Sequence, residues 1–275
     1  MFLYKIKIFL LRIIGYDKPL RLAVLKYFTR KYKTFRPYYE TILLEGAIEA
    51  KKIGYKTVSV LELGVAGGNG IIALEKYKEK IEKLINIKIN VYGFDSGEGL
   101  PDVSNKFDLP YLWEKGIYKI NREKLEKKIN SKIFYGDIKD TVDDFIKINP
   151  ENIIAIFSDL DLYTSTKNFL NQISKLKKHL CPRTYCYFDG IFHVNHWINV
   201  HNAELLAIQE FNNENNDCKI GKSLSNSSDF KFPIGRENLF MLHNFTHKDY
   251  YLNIGSDQNF SLDIKSKEIG KIFDF

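Results

Sequence analysis

Thr57-Val-Ser-Val-Leu-Glu62-Leu-Gly64-Val-Ala-Gly67-Gly68-Asn-Gly70 joins a β-branched apolar run to a loop holding four glycines. Ile71-Ile-Ala-Leu-Glu75 follows directly. The order predicts a buried strand, a tight turn and the start of a helix. Glycine lets the backbone approach a ligand closely because no Cβ stands in the way. The free N–H groups of the first helical turn then face whatever binds.

What the glycines do not spell narrows the ligand. A dinucleotide fingerprint begun at Gly64 needs glycine at 66 and 69, where Ala66 and Asn69 stand. A phosphate-binding loop needs a Gly-Lys pair at a spacing the chain lacks. Glu62 two residues before Gly64, with Gly68 four after it, spells E-x-G-x-x-x-G. That pattern marks S-adenosylmethionine sites, with Gly64, Gly67 and Gly68 beneath the amino-acid end of the cofactor. By itself the motif leaves open a glycine-rich turn with no ligand.

The chain has 275 residues, 44% hydrophobic and 27% charged, which suits one globular domain with extensions. Cys181, Cys186 and Cys218 form no C-x-x-C pair, so neither a disulfide framework nor a zinc ribbon is indicated, and a reducing cytoplasm is the expected location. No uncharged apolar run reaches the roughly 18 residues of a membrane span. Residues 1–36 carry ten Lys/Arg against Asp17 alone, an excess of nine positive charges. The whole chain carries +7, which leaves residues 37–275 at −2. A near-neutral body argues against a nucleic-acid surface. The basic, apolar residues 1–36 are expected to form a helical extension ahead of a domain over 37–275. An anionic membrane is one surface it suits, peripheral to the inner face. Packing on the body, or on a second copy in a homodimer, ranks slightly ahead, because apolar residues occupy nearly every side.

Strands are expected over 89–95, 132–137, 152–161, 184–189 and 239–243, and helices over 37–53, 71–84, 164–180 and 199–211. Residues 212–238, rich in Asn, Ser and Gly, read as a surface connection. Alternating strands and helices predict an α/β, doubly wound, Rossmann-like, mostly parallel sheet, seven-stranded, with helices on both faces. Ligands of such sheets sit beyond the carboxyl ends of the strands. Asp95, ending the second strand, is placed to hold ribose hydroxyls, and Asp137 to accept from an adenine amino group. Tyr38 and Tyr39 either approach the cofactor or pack.

Asp159 and Asp161, two apart on one predicted strand, are expected to project to the same side. With Asp189 on the neighbouring strand they converge, and like charges so close need protonation or a cation. Mg²⁺ suits such hard oxygen ligands, and Asp161 is the candidate base for a substrate hydroxyl. His193 and His196, close after Asp189, are further candidates for base or ligand and rank below the aspartates. A solvated turn opening a helix is the plain alternative for Asp159-Leu160-Asp161.

Glu62-Leu-Gly-Val65, Gly93-Phe-Asp-Ser-Gly-Glu-Gly-Leu-Pro101, Asp159-Leu-Asp-Leu-Tyr-Thr-Ser-Thr166 and Phe188-Asp189 together resemble the macrocin O-methyltransferase family. The likeness runs over roughly residues 37–245. It implies an S-adenosylmethionine- and Mg²⁺-dependent methyltransferase acting on sugar hydroxyls, as in polysaccharide or natural-product biosynthesis. It also implies Asp159 and Asp189 as metal ligands, Asp161 as base, and Ser96 and Asp159 beside the cofactor. Two departures stand out: Gly190 replaces the second of two paired acids, which leaves metal binding weaker, completed by water or His193, or absent, and Gly97 replaces an aromatic, which opens the site to another acceptor. A D-x-D glycosyltransferase using a nucleotide sugar is the rival enzyme, though it leaves the glycine loop unexplained. A non-catalytic scaffold held at a membrane or partner is the third reading.

Overall fold

β1 (Thr57–Leu63) has β2 (Lys88–Asp95) on one side and β4 (Ile153–Ser158) on the other, both parallel to it. Every residue of β4 is buried, as is every residue of β1 after Thr57. Strands covered by helices on both faces become continuous apolar runs instead of alternating ones, and that is why this stretch stands out in the sequence. The structure is a computed structural model and describes residues 36–103, 105–191, 197–223 and 238–254. The expectations for residues 1–35, and those for His193 and His196, lie outside the described residues.

Seven strands run in the order β3-β2-β1-β4-β5-β7-β6, with β3 at Lys132–Tyr135, β5 at Leu180–Phe188, β6 at Cys218–Lys222 and β7 at Leu239–Asn244. β1 to β5 pair in parallel, and β7 is antiparallel to both β5 and β6. β6 falls inside 212–238, which reads in sequence as a surface connection. Cys218 and Ile220 are its buried positions, and pairing with β7 is what makes so short a segment a strand.

Seven helices among the described residues complete the fold: α1 (Pro37–Ile53), α2 (Asn69–Ile85), α3 (Arg122–Glu126), α4 (Ile138–Lys147), α5 (Tyr163–Leu170), α6 (Ile173–Leu176) and α7 (Ala203–Glu214). α1 packs on α2, β4 and β5, while α5 packs between α4 and α7. The helix expected over 164–180 is therefore two short helices and a turn. Pro182 lies inside β5. Successive β1 side chains alternate between the layers. Leu61 and Leu63 join Phe94, Phe145 and Phe169 in the core under α4 and α5. Glu62, with Val60, faces the α1 and α2 side.

Connections leave β1 toward β2 and β3, and the chain then crosses to β4 on the other side. A crevice opens where strand order reverses, past the carboxyl ends of β1 and β4.

Candidate active site

The crevice is a cleft of about 860 Å³, within the range of small-molecule sites. Its floor is the loop after β1. At Gly64 the chain runs so close to the neighbouring strand end that a β-carbon would lie 2.1 Å from the Asp159 carbonyl oxygen. Its φ of +81° belongs to the left-handed region that glycine tolerates. Gly67 also lines the cleft, and a β-carbon there meets nothing within 4 Å. Asp95 fastens the loop: its Oδ2 accepts from Val65 N and Ala66 N, both at 2.9 Å, and its Oδ1 from Gly97 N at 2.6 Å. Three of the carboxylate's roughly four lone-pair sites are taken, so Asp95 Oδ1 can still accept from one ribose hydroxyl.

Asp137 caps α4 by accepting from Lys139 N at 3.0 Å, and its half-exposed carboxyl lies on the cleft wall. Ser96 is on the wall too, but its hydroxyl donates to Gly99 O at 2.8 Å and shapes its own loop. Two expected cofactor residues are off the wall. Gly68 begins α2 with φ +84°, and a β-carbon there would meet Leu125 Cδ1 at 2.2 Å, so its bare face serves packing. Glu62 is 1% exposed beneath the loop, its Oε1 3.5 Å from the Tyr39 hydroxyl and its Oε2 without a protein partner. Burial pushes the Glu62 carboxyl well above the usual carboxylate range. Tyr39 packs against Phe157 with ring centroids 4.2 Å apart, so it is mainly a packing residue.

Asp159, Asp161 and Asp189 also line the cleft, and Asp159 lies with its carbonyl directly against Gly64. Their convergence matches the sequence expectation, but its cause differs. β4 stops at Ser158, and Leu162 N–H closes a three-residue turn onto Leu160 O at 2.5 Å, with Asp161 in its middle at φ +58°. Strand alternation does not aim these acids; a strained turn does, and such strain gathers at functional sites. Burial first, then the Asp159 and Asp189 charges, push Asp161 up to about 8 against the pull of Arg36. Burial and Asp189 push Asp159 up to about 6, again opposed by Arg36.

Two residues of this corner were not legible in sequence. Arg36 Nη2 is 2.9 Å from Asp159 Oδ2, and its Nη1 is 3.6 Å from Asp189 Oδ1. It is the last basic residue of the 1–36 stretch, and nothing local distinguishes it from its neighbours. Glu204, in the first turn of α7, is fully buried and accepts from Ser158 Oγ at 2.8 Å. Its one sequence signal is an acid in the apolar run Ala203-Glu-Leu-Leu-Ala207. The departure at Gly97 also has a different outcome. The Arg122 guanidinium fills the place of its side chain, within 2.3 Å of an ideal β-carbon, so the site is not opened there.

The residues fit S-adenosylmethionine: the Asp95 and Asp137 carboxylates line the cleft, and bare backbone at Gly67 faces the space. They do not fit Mg²⁺. Among the described residues no group of three or more His, Cys, Asp or Glu is arranged to hold a metal ion. Asp159 and Asp189, the expected ligands, are instead turned to the Arg36 guanidinium, and a dication there would face that charge at close range.

No protein-family model matches the chain, and no curated protein matches it in sequence. Among solved structures, CalS11, a calicheamicin methyltransferase, superposes with a TM-score of 0.54 at 17% identity, over 83% of this chain and 94% of that one. The fold is the Rossmann-like methyltransferase fold. The apo structure of CalS11, described as a TDP-rhamnose 3'-O-methyltransferase, gives 0.44 at 16% identity over 82% and 86% of the two chains. The O-methyltransferase NovP gives 0.41 at 19% identity over 55% and 64%. Within the methyltransferase fold, the cleft lies at the strand-order reversal and the three aspartates line it. No helix among the described residues is long and apolar enough to cross a membrane.

Proposed function

We propose that the chain is an S-adenosylmethionine-dependent O-methyltransferase whose acceptor is a hydroxyl on a sugar or glycosylated molecule. The observation that carries this reading is a single cleft lined by Gly64, Gly67 and Asp161 together. When bound, S-adenosylmethionine supplies a methyl group on a positively charged sulfur. Asp161 accepts the proton of the acceptor hydroxyl as the oxygen–carbon bond forms and the carbon–sulfur bond breaks. A carboxylate held near 8 is a stronger base than an ordinary one and is suited to neutral pH. Asp95 and Asp137 orient the nucleoside, and most of the rate comes from alignment.

The wall beside the acids supports a sugar acceptor. Trp113 and Tyr118 line it with ring centroids 6.2 Å apart, and Leu100 and Pro101 adjoin them. Aromatic and apolar surface of this kind takes the C–H face of a pyranose, while nearby carboxylates take its hydroxyls. Mg²⁺ assistance, which the family resemblance implies, is not part of the proposal. Neither does the D-x-D glycosyltransferase reading gain support, since Asp159 is engaged by Arg36 and not free for a nucleotide-sugar metal.

Isothermal titration with S-adenosylhomocysteine is the test. Saturable one-to-one binding is expected; absence of binding overturns the proposal.

A further inference from the structure

The family resemblance puts a divalent ion at the acid corner, yet a side chain of this chain reaches it. Arg36 directs Nη2 at Asp159 and Nη1 at Asp189, and the same Nη1 donates to the Tyr39 hydroxyl at 2.7 Å. Tyr39 is fully buried and faces Glu62, so the guanidinium is fixed from the core side as well as by the acids. Tyr187 donates to Asp189 Oδ1 at 3.0 Å, which holds that acid from the strand side. A guanidinium is planar, permanently charged and able to address two carboxylates at once.

The backbone is bent to allow this. Arg36 sits at φ 58° and ψ 65°, left-handed, immediately before Pro37 at the start of α1. A non-glycine residue holds that conformation at a cost that surrounding contacts must offset; here these are the guanidinium contacts together with the Tyr39 N–H bond to the Arg36 carbonyl at 3.0 Å.

A second observation, independent of Arg36, comes from Gly190. This is where the resembling pattern carries its second acid. A β-carbon at 190 would lie 2.8 Å from Glu204 Oε2 and 3.5 Å from the Asp161 Cα. The space a second ligand needs is taken by the buried Glu204 carboxyl. The corner thus lacks the second acid of the resembling pattern and holds a cation of the chain's own.

We propose that Arg36 is a positioning residue that stands in for the divalent ion, balancing and aiming Asp159 and Asp189 so that the corner needs no metal. The inference rests on the reading of this cleft as a methyl-transfer site.

The test uses the full chain, stripped with EDTA, and reads its thermal unfolding midpoint with and without millimolar Mg²⁺, for the wild type and for Arg36→Met. The wild type is expected to keep one midpoint and one S-adenosylhomocysteine affinity in both conditions. Arg36→Met keeps the apolar stem, loses the charge, and is expected to unfold several degrees lower in EDTA. Mg²⁺ should then restore most of that loss, and Asp189→Asn in the same background should abolish the rescue. Saturable Mg²⁺ binding to the wild type by titration calorimetry overturns the proposal, and so does an Arg36→Met protein indifferent to Mg²⁺. Should Arg36→Met fail to fold, Arg36→Lys keeps the charge without the fork and is expected to stay Mg²⁺-indifferent; a Mg²⁺-dependent rise in its midpoint also overturns the proposal. Wild type that binds no S-adenosylhomocysteine sinks the methyl-transfer reading, while the Mg²⁺ arms still judge Arg36.

Discussion

A β-carbon on Gly70 would lie 1.6 Å from Glu62 Oε1 and 3.0 Å from a Tyr39 ring carbon. The acid at the end of β1 is therefore accommodated by a missing side chain in the first turn of α2. Alanine is the better helix former by about 1 kcal/mol, so propensity alone favours Gly70→Ala. Overpacking a filled core costs about 1–3 kcal/mol, and a contact this short lies at the upper end. We expect a net loss of roughly 1–2 kcal/mol in urea denaturation. The double variant Gly70→Ala/Glu62→Ala should recover much of it, with a coupling of about 1 kcal/mol or more. Strict additivity would show that the two side chains do not compete for the same space.

Gly67 is the contrasting glycine. Its β-carbon meets nothing within 4 Å, and the residue lines the cleft. Gly67→Val should fold with a thermal midpoint close to the wild type, because its β-carbon meets no protein atom within 4 Å. Its side chain enters the space assigned to the cofactor, so S-adenosylhomocysteine affinity should fall about tenfold or more, equivalent to about 1.4 kcal/mol. Equal affinity in calorimetry would remove Gly67 from the site.

Glu204 gives the protein a stability that depends on pH. Burial is the main cause of its raised pKa, the Asp161, Asp159 and Asp189 charges add to it, and the Ser158 hydrogen bond opposes it, leaving it well above the usual 4.5. A carboxyl raised on folding binds its proton more tightly folded than unfolded. Its contribution is fully present below pH 4.5 and is lost as pH rises toward the folded value. The slope within that window is at most about 1.4 kcal/mol per pH unit. Glu204→Gln keeps a partner for Ser158 and cannot ionise. Its urea midpoint should match the wild type at acid pH and exceed it increasingly toward alkaline pH; parallel pH curves would contradict the assignment.

Asp161 is proposed as the base, so Asp161→Asn should separate chemistry from binding. S-adenosylhomocysteine affinity should stay within about twofold, whereas turnover with an accepted sugar falls by about 10²–10⁴. The production of S-adenosylhomocysteine from S-adenosylmethionine measures it. Undiminished turnover would move the base to another residue.

The stretch around β1 was legible because its signals are local. A strand buried on both faces becomes an apolar run, and a turn tight enough for Gly64 demands glycine. Asp95, Asp137, Asp159 and Asp189 could be placed in the crevice because strand-end positions follow from element order alone. The direction of a side chain within a turn does not follow from that order. Asp161 illustrates this: it is aimed by a left-handed turn past the end of β4, not by strand alternation. Gly68 and Glu62 illustrate it from the other side, since both carry the motif yet face the interior and not the cleft wall.

Sequence by itself determined the alternating architecture, the central strand with its glycine loop, and the gathering of acids at one end of the sheet. Tertiary structure alone decided how those acids are compensated. Arg36 meets Asp159 across 123 positions, and Glu204 meets Ser158 across 46. β6 likewise exists through its pairing with β7. Periodicity and turn chemistry act over a few residues and leave a pattern in the chain, whereas a charge finds its partner through space.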